Sequence, residues 1–309
     1  MVNKAKLKKE LQLLYGVRDI ILDEPMSRHT SMGAGGTADL FIVPADVEEL
    51  KRILAFFEQR KIDFMPLGNG SNLIVRDGGY RGALISLKGL KRIEIVSTGT
   101  EETLLYAEAG TTLSRLVDFS IEHSLGGIEF CEGIPGSLGG ALKMNTGAYG
   151  GEMKDIVETI FTLRPCTHIE ALRRDNLHFD YRCLNLPEGS IITGACIKLV
   201  SRSTELIKKR VEEIKASRKS KHPINLRSAG SIFRNPPGLP AGKLIEEAGL
   251  KGYQIGDAQI SEMHGNFIVN KGAACARDIV NLIDMARKTV KEKTGILLET
   301  EVKIIGDEK

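Results

Sequence analysis

The chain has 309 residues, of which 42% are hydrophobic and 27% are charged, and its formal net charge is +3. This length predicts two or three domains with a sizeable core, and the nearly balanced charge argues against a dedicated nucleic-acid-binding protein. The five cysteines are widely spaced without a C-x-x-C pair, which indicates neither a metal site nor a disulfide framework and fits reduced thiols in a cytoplasmic protein. The lysine-rich N-terminus lacks the apolar segment of a signal peptide, and no later run approaches the ~18 apolar residues of a membrane span.

The first part of the chain predicts an α/β unit. Leucines at helical spacing predict a helix from Lys4 to Tyr15, which Gly16 ends. A strand is predicted over residues 38–44, and Asp46 then caps a helix with one apolar face. A second apolar strand follows and leads into a polar loop rich in glycine and asparagine.

The remainder predicts an α+β arrangement with a largely antiparallel sheet. The predicted strands cover residues 83–87, 93–96, 104–109, 156–163, 191–199, 266–270 and 296–305. The predicted helices cover residues 113–123, opened by Thr112, then 203–221, 244–248 and 276–294, the last ending at Gly295. The charged helix over residues 203–221 is typical of a domain connector.

Two glycine-rich loops stand out, at residues 66–72 and 131–151. Glycine tolerates positive φ and has no Cβ, so either loop can present successive backbone N–H groups to an anion. The alternative is a buried crossing at which small residues let two elements touch. Two such loops in one chain favour a diphosphate held from both sides. Neither Gly33–Gly36 nor Gly238–Lys243 has the spacing of a Rossmann fingerprint or a P-loop.

Six motifs occur in order between residues 28 and 306. They are Gly68–Asn72, Gly133–Gly136 continuing through Met144–Gly150, Tyr181–Arg182, Ala229–Ser231 with Asn235–Pro236, His264–Phe267, and Glu299–Val302. Together they resemble the UDP-N-acetylenolpyruvoylglucosamine reductases, flavoenzymes of bacterial peptidoglycan precursor synthesis. The short run after Arg182 lacks a tyrosine-bearing insertion, and the chain therefore resembles the shorter, second subtype of the family.

The resemblance implies an α+β fold class, namely an FAD-binding fold of the vanillyl-alcohol-oxidase type with two α+β subdomains and a C-terminal α+β substrate domain. The boundaries expected are 1–80 and 81–215 for the FAD-binding subdomains and 216–309 for the substrate domain. Both glycine loops would wrap FAD. The cofactor-binding residues implied are Gly68, Asn69, Gly70, Ser71, Asn72, Gly133, Ile134, Pro135, Gly136, Gly139, Gly140, Asn145, Gly147 and Ala148.

The resemblance also implies a reaction in which NADPH reduces FAD and the reduced flavin passes hydride to an enolpyruvyl UDP-sugar, yielding UDP-N-acetylmuramate. Arg182 would hold the substrate carboxylate, since its planar guanidinium stays charged and matches a carboxylate. Ser231 would protonate C2, and Glu301 would be a second acidic group beside the enolate. Lys221, or the adjacent Lys219, would hold the UDP diphosphate together with Asn235.

Each of these residues also has a purely structural interpretation. Arg182 could form a surface ion pair, Ser231 could cap a turn, and Glu301 could be a solvated strand residue. Two other functions are open as well: a flavin oxidase of the same fold, and a non-catalytic protein that binds UDP-sugars. We expect a cytoplasmic monomer whose partners are the UDP-sugar and NADPH, without nucleic acid, membrane or metal.

Overall fold

The computed structural model describes residues 4–308. Its helices are α1 (Lys4–Tyr15), α2 (Val47–Arg60), α3 (Leu113–Glu122), α4 (Leu138–Lys143), α5 (Met153–Ile156), α6 (Thr204–Lys221), α7 (Ala241–Glu247) and α8 (Ala276–Thr294). Two predicted N-caps are confirmed, because Asp46 accepts a hydrogen bond from the Glu49 N–H and Thr112 accepts one from the Arg115 N–H. The predicted ends of α1 and α8 are confirmed too, and Gly295 after α8 has a left-handed backbone.

The strands are mostly short. They are β1 (Ile20–Pro25), β2 (Thr37–Ile42), β3 (Phe64–Leu67), β4 (Leu73–Val75), β5 (Tyr80–Ser86), β6 (Ile93–Thr98), β7 (Glu102–Glu108), β8 (Leu125–Gly126), β9 (Gly147–Ala148), β10 (Gly151–Glu152), β11 (Val157–Leu163), β12 (Glu170–Arg173), β13 (His178–Asp180), β14 (Cys183–Asn185), β15 (Ile191–Ser201), β16 (Arg227–Ser231), β17 (Gln254–Ile255), β18 (Ala258–Ile260), β19 (Phe267–Asn270) and β20 (Lys303–Ile305). A four-stranded sheet has the order β1-β2-β5-β3, in which β3 and β5 run parallel.

The chain divides into two compact units, each assembled from three segments. The first unit contains the residues up to 22, then 40–69 and 82–216, and the second contains residues 23–39, 70–81 and those from 217 onward. Each unit has a hydrophobic core of its own. The first core includes Leu50, Phe57 and Ile197, and the second includes Phe233 and Ile283. The expected division into three domains at residues 80 and 215 stays a prediction.

The first unit contains the largest sheet of the described chain, with the order β12-β11-β15-β7-β6 and β8 paired beside β15. All of its pairs are antiparallel, which confirms the predicted antiparallel character of this region. The hairpins β9–β10 and β13–β14 stand apart from this sheet and carry predicted site residues.

The second unit is built on an antiparallel sheet with the order β16-β19-β18-β17, and β20 pairs in parallel with β4. The carboxylate of Asp77 accepts hydrogen bonds from the N–H groups of Ala276 and Arg277 at 3.0 and 2.9 Å. A residue distant in sequence thus satisfies the first turn of α8.

The predicted strand over residues 296–305 is wrong in extent, since only Lys303–Ile305 forms a strand. Before it, Thr300 makes an isolated bridge with Phe233, a single contact in place of the predicted ladder. The helix predicted at residues 244–248 begins earlier, at Ala241. Among residues 4–308, no helix is both long and apolar enough to cross a membrane.

Candidate active site

The loop after β3 presents backbone donors that the protein does not use. Within residues 4–308, four successive backbone N–H groups donate to no hydrogen-bond acceptor, namely those of Gly68, Asn69, Gly70 and Ser71. Gly70 has φ of 63°, and a Cβ there would lie 2.0 Å from the carbonyl oxygen of His29, so no other residue fits this position. Four successive free N–H groups can bind an anion.

The second glycine loop meets the first in the first unit. A Cβ on Gly68 would lie 2.5 Å from the Oγ of Ser137, which stands between Gly136 and the first turn of α4. Ser137 is 2% exposed, and its Oγ has no hydrogen-bond partner within the described chain. A buried hydroxyl without a partner normally indicates a missing ligand or water. The two glycine loops therefore lie against each other at Gly68 and Ser137, and their shared role in holding a diphosphate stays a prediction.

Gly139 fits the alternative interpretation of the glycine-rich segment. Its N–H donates to the carbonyl of Ala109 at 2.9 Å, and an added Cβ would lie 2.8 Å from the Ala109 Cβ. Here the missing side chain allows two elements to cross closely. The two loops therefore contain both kinds of glycine: Gly70 lies among the free donors of residues 68–71, and Gly139 lies at a packed crossing.

Asn145 has a protein partner for each polar group of its amide. Its Nδ2 donates to Glu152 Oε2 at 3.0 Å and to the Asp180 carbonyl at 3.3 Å, while its Oδ1 accepts the Lys154 N–H at 3.1 Å. The residue is buried and has a left-handed backbone. These bonds join the Gly147–Ala148 segment to the hairpin β13–β14, so the side chain braces the loop, and its contact with a cofactor stays a prediction.

Arg182 lies in the two-residue turn between β13 and β14, with a left-handed φ of 57°. Its Nη1 donates to the carbonyl of Gly147 at 3.4 Å, and the guanidinium lies 5.3 Å from the ring centroid of Tyr181. The turn thus brings Arg182 to a second predicted site segment, Gly147–Ala148. A half-buried guanidinium held in this way can bind a carboxylate.

Ser231 ends strand β16, in the second unit. The pairing of β16 with β19 shifts register between Ser228 and Ser231, and Gly230 in the shift has φ of 71°. Such a bulge re-aims the next side chain. Ser231 is directly opposite Phe267 and is half-buried.

The backbone of Glu301 is hydrogen-bonded to the residue that follows Ser231. Its N–H donates to the carbonyl of Ile232 at 2.8 Å, and its own carbonyl accepts the Asn72 Nδ2 at 3.1 Å. Ser231 precedes Ile232, so the two predicted acidic groups lie on neighbouring backbone positions. Glu299 is exposed, whereas Glu301 is half-buried.

Comparison with known proteins identifies the family. The C-terminal domain of UDP-N-acetylenolpyruvoylglucosamine reductase matches residues 222–305, and an FAD binding domain matches residues 38–165. The UDP-N-acetylenolpyruvoylglucosamine reductase of Syntrophus aciditrophicus is 50% identical, over 94% of this chain and 93% of its own length. That of Caldanaerobacter subterraneus subsp. tengcongensis is 46% identical, over 93% and 94%. The chain belongs to the UDP-N-acetylenolpyruvoylglucosamine reductase family.

A solved structure agrees with this assignment. The crystal structure of UDP-N-acetylenolpyruvylglucosamine reductase from Thermus caldophilus is 36% identical and covers 93% of this chain and 99% of its own, with a TM-score of 0.79. The predicted family, the FAD-binding α+β fold and the enzyme class, an FAD-dependent oxidoreductase of peptidoglycan precursor synthesis, are confirmed.

The residues present fit FAD. The free N–H groups of Gly68 and Asn69 and the unpaired Ser137 hydroxyl, all in the first unit, supply donors for a diphosphate, and Gly68 leaves the space that a side chain would fill. Ser137 was missed from the sequence, where a serine after Gly136 in a glycine-rich run looks like a spacer. Ser137 differs from a spacer only in being buried without a hydrogen-bond partner, which the structure shows and the sequence does not.

The residues predicted to bind the UDP-sugar lie in the second unit. Lys221 is the exposed last residue of α6, and Lys219 is exposed as well. The Oδ1 of Asn235 accepts the Ala241 N–H at 2.9 Å and so also caps α7. The substrate roles of these three residues stay predictions.

His222, the residue after Lys221, pairs with a second imidazole ring, that of His264. The His222 ring lies 5.6 Å from the His264 ring and 5.1 Å from the Phe267 ring. Burial, with the charges of Arg218 and its neighbours, lowers the pKa of His222 to about 4, and burial also lowers the pKa of His264. Both rings are therefore neutral at pH 7. The sequence indicates no role for His222, since a lone histidine carries no pattern.

Proposed function

We propose that this chain reduces the enolpyruvyl ether of UDP-N-acetylglucosamine to UDP-N-acetylmuramate, with NADPH as the reductant. The proposal rests on family membership over nearly the whole chain. The structural observation that carries it is the common attachment of Ser231 and Glu301 to Ile232. When bound, FAD supplies a hydride acceptor for NADPH and a hydride donor for the enolpyruvyl C3.

Arg182 binds the carboxylate of the enolpyruvyl group. Hydride addition at C3 moves charge from the double bond onto this carboxylate as an enolate, so a fixed cation there stabilises the transition state more than the ground state. The contact with the Gly147 carbonyl and the left-handed turn restrict the guanidinium beforehand. Less ordering is then needed when the substrate binds.

Ser231 donates the proton that C2 receives. A neutral hydroxyl is a weak acid, so its developing alkoxide requires a stabilising group close by. Glu301 is assigned that position, because its backbone is bonded to the residue that follows Ser231. Lys221 and Asn235 bind the UDP diphosphate, with Lys219 as the alternative cation. The net change adds one hydride and one proton across the C2–C3 double bond.

The absorbance spectrum of the purified holoenzyme tests this function. Flavin absorbance should bleach when NADPH is added without oxygen and should return when the enolpyruvyl UDP-sugar is added. Denaturation should release the flavin, because no covalent tether is proposed. Reoxidation by oxygen but not by the sugar would indicate a flavin oxidase instead, and a colourless protein that binds the sugar would indicate a binding protein.

A further inference from the structure

Asn266 is a buried residue of the second unit that makes four hydrogen bonds, three of them with the segment Ile232–Phe233. It is 3% exposed and directly precedes β19. Its side chain accepts the Phe233 N–H at 2.9 Å and donates to the Phe233 carbonyl at 2.8 Å. Its backbone carbonyl accepts the Ile232 N–H at 2.9 Å, and its own N–H donates to His264 Nδ1 at 3.1 Å. One residue thus satisfies three backbone groups of Ile232 and Phe233.

The segment Ile232–Phe233, which Asn266 binds, is linked to both predicted acidic groups. Ser231 immediately precedes Ile232, and the Ile232 carbonyl accepts the N–H of Glu301 at 2.8 Å. Phe233 forms the bridge to Thr300, the residue before Glu301. A displacement of Ile232 and Phe233 therefore moves Ser231 and Glu301 together.

We propose that Asn266 is a positioning residue that fixes Ser231 and Glu301 for proton transfer to the substrate. The proposal rests on the function proposed above, because it assumes that these two groups serve the protonation step. Asn266 itself donates no proton to the substrate, since every polar group of its amide is bonded to Phe233. Asn266 instead affects the positions of Ser231 and Glu301.

The expected consequence of losing the amide follows from burial. Ile232 and Phe233 are each 1% exposed, so solvent cannot replace the amide without a local rearrangement. A misplacement of ~1 Å at a reacting group can slow the chemical step ~10²-fold. Hydride transfer from NADPH requires no proton from Ser231, so that step should be spared.

Asn270, at the end of β19, offers a matched control. It is 4% exposed, its Nδ2 donates to the Met32 carbonyl at 3.0 Å, and its Oδ1 accepts the N–H groups of Gly272 and Ala274 at 2.9 and 3.1 Å. It resembles Asn266 in burial and makes three side-chain hydrogen bonds where Asn266 makes two, but it braces a turn and not the Ser231 segment. Asn270→Ala should therefore lose at least as much thermal stability as Asn266→Ala.

The test compares both half-reactions of the two holoenzyme variants in anaerobic stopped-flow measurements. Asn266→Ala should slow reoxidation by the enolpyruvyl UDP-sugar ~10²-fold and leave reduction by NADPH unchanged, whereas Asn270→Ala should leave both near wild type. Hydrogen exchange supplies a readout independent of activity: only Asn266→Ala should speed exchange of the Ile232 and Glu301 amides. Equal effects of the two variants on reoxidation would overturn the positioning role, whereas a wild-type enzyme that the sugar cannot reoxidise would overturn the proposed function itself.

Asn266→Asp keeps the test decisive if the alanine variant does not fold. The aspartate still accepts the Phe233 N–H but, when ionised, cannot donate to the Phe233 carbonyl. The protonated acid can donate, so the ratio of variant to wild-type reoxidation rates should rise as pH is lowered, with no such change in the reduction rates. A ratio that does not change with pH would contradict the proposal.

Discussion

Arg182 in the first unit and the pair Ser231 and Glu301 in the second are held by different means. Around Arg182, the backbone itself is forced into uncommon conformations: φ is 41° at Asn145, 52° at Tyr149 and 57° at Arg182. Around Ser231, the segment that follows is fixed by hydrogen bonds from Asn266 and to Glu301. The first region stores strain in turns, and the second relies on buried hydrogen bonds.

The difference has physical consequences. A non-glycine residue with a left-handed backbone costs roughly 1–3 kcal/mol, so such turns persist only where neighbouring groups brace them. Asn145 supplies this bracing in the first region through three side-chain hydrogen bonds. Two glycines there leave no room for a side chain, because an added Cβ would lie 2.5 Å from Glu152 Cγ at Gly147 and 2.6 Å from Phe130 Cδ1 at Gly151. We therefore expect the first region to be sensitive to added atoms and the second to the loss of a single polar group.

The largest effect is expected in the second region, at Glu301. Glu301→Gln should reduce product formation by ~10²–10⁴-fold, the usual contribution of a positioned acid or base. Glu299→Gln is the matched control, because Glu299 has the same side-chain chemistry but is exposed. Product formation by both variants is measured as a steady-state rate with NADPH and the enolpyruvyl UDP-sugar. If Glu299→Gln has the larger effect, the role belongs to Glu299.

A smaller effect is expected in the first unit when one methyl group is added between the two glycine loops. Gly68→Ala would place a Cβ 2.5 Å from Ser137 Oγ. Overpacking of this kind costs about 1–3 kcal/mol, which is roughly 5- to 150-fold in the dissociation constant of FAD. Titration of apoprotein with FAD should show this loss for Gly68→Ala and little change for Gly99→Ala, in the exposed turn between β6 and β7.

The source of the loss at Gly68 can be checked with a double variant. Ser137→Ala removes the hydroxyl that the new methyl group would meet, so Gly68→Ala combined with Ser137→Ala should lose less affinity than the two separate effects added together. Simple additivity would show that the contact between the loops does not control FAD binding.

The smallest expected effect is a change in the pH dependence of stability. The pKa of His222 in the folded protein, about 4, lies below the ordinary value of 6.5, so the unfolded chain binds more protons between these values. Stability due to the neutral ring is fully present above pH ~6.5 and is lost as pH falls toward 4. Thermal unfolding of His222→Gln should show a flatter pH dependence in this window. The exposed His168→Gln variant should keep the wild-type slope, and a flattening equal to that of His222→Gln would contradict the assignment.

Local sequence signals predicted much of the fold. Asp46 and Thr112 were predicted as helix caps because capping depends on residues three positions apart, and α8 was bounded by its apolar period and Gly295. The strand predicted over residues 296–305 was too long because strand formation depends on partners distant in sequence. The segment before Lys303 makes a single bridge, between Thr300 and Phe233, in place of a continuous ladder.

Motifs in the sequence predicted which residues belong to the site, but not the contacts that these residues make. The two glycine loops follow from composition, but the hydroxyl of Ser137 beside Gly68 requires the folded chain. Asn145 and Asn266 each belong to a recognised motif, yet only the structure shows that their amides are bonded to backbone groups and to Glu152. Polar side chains acquire such partners through tertiary packing, on which their local sequence carries no information.

The division of tasks between the two regions is tested most directly by Ser231→Ala in anaerobic stopped-flow measurements of both half-reactions. Bleaching of the flavin by NADPH should proceed at the wild-type rate, and reoxidation by the enolpyruvyl UDP-sugar should slow by ~10²–10⁴-fold, because only the second step needs a proton at C2. Ser228→Ala, in the same strand, should leave both rates unchanged. If Ser231→Ala slowed both half-reactions equally, Ser231 would be a structural residue and the proton would have to come from another group, with Glu301 the next candidate.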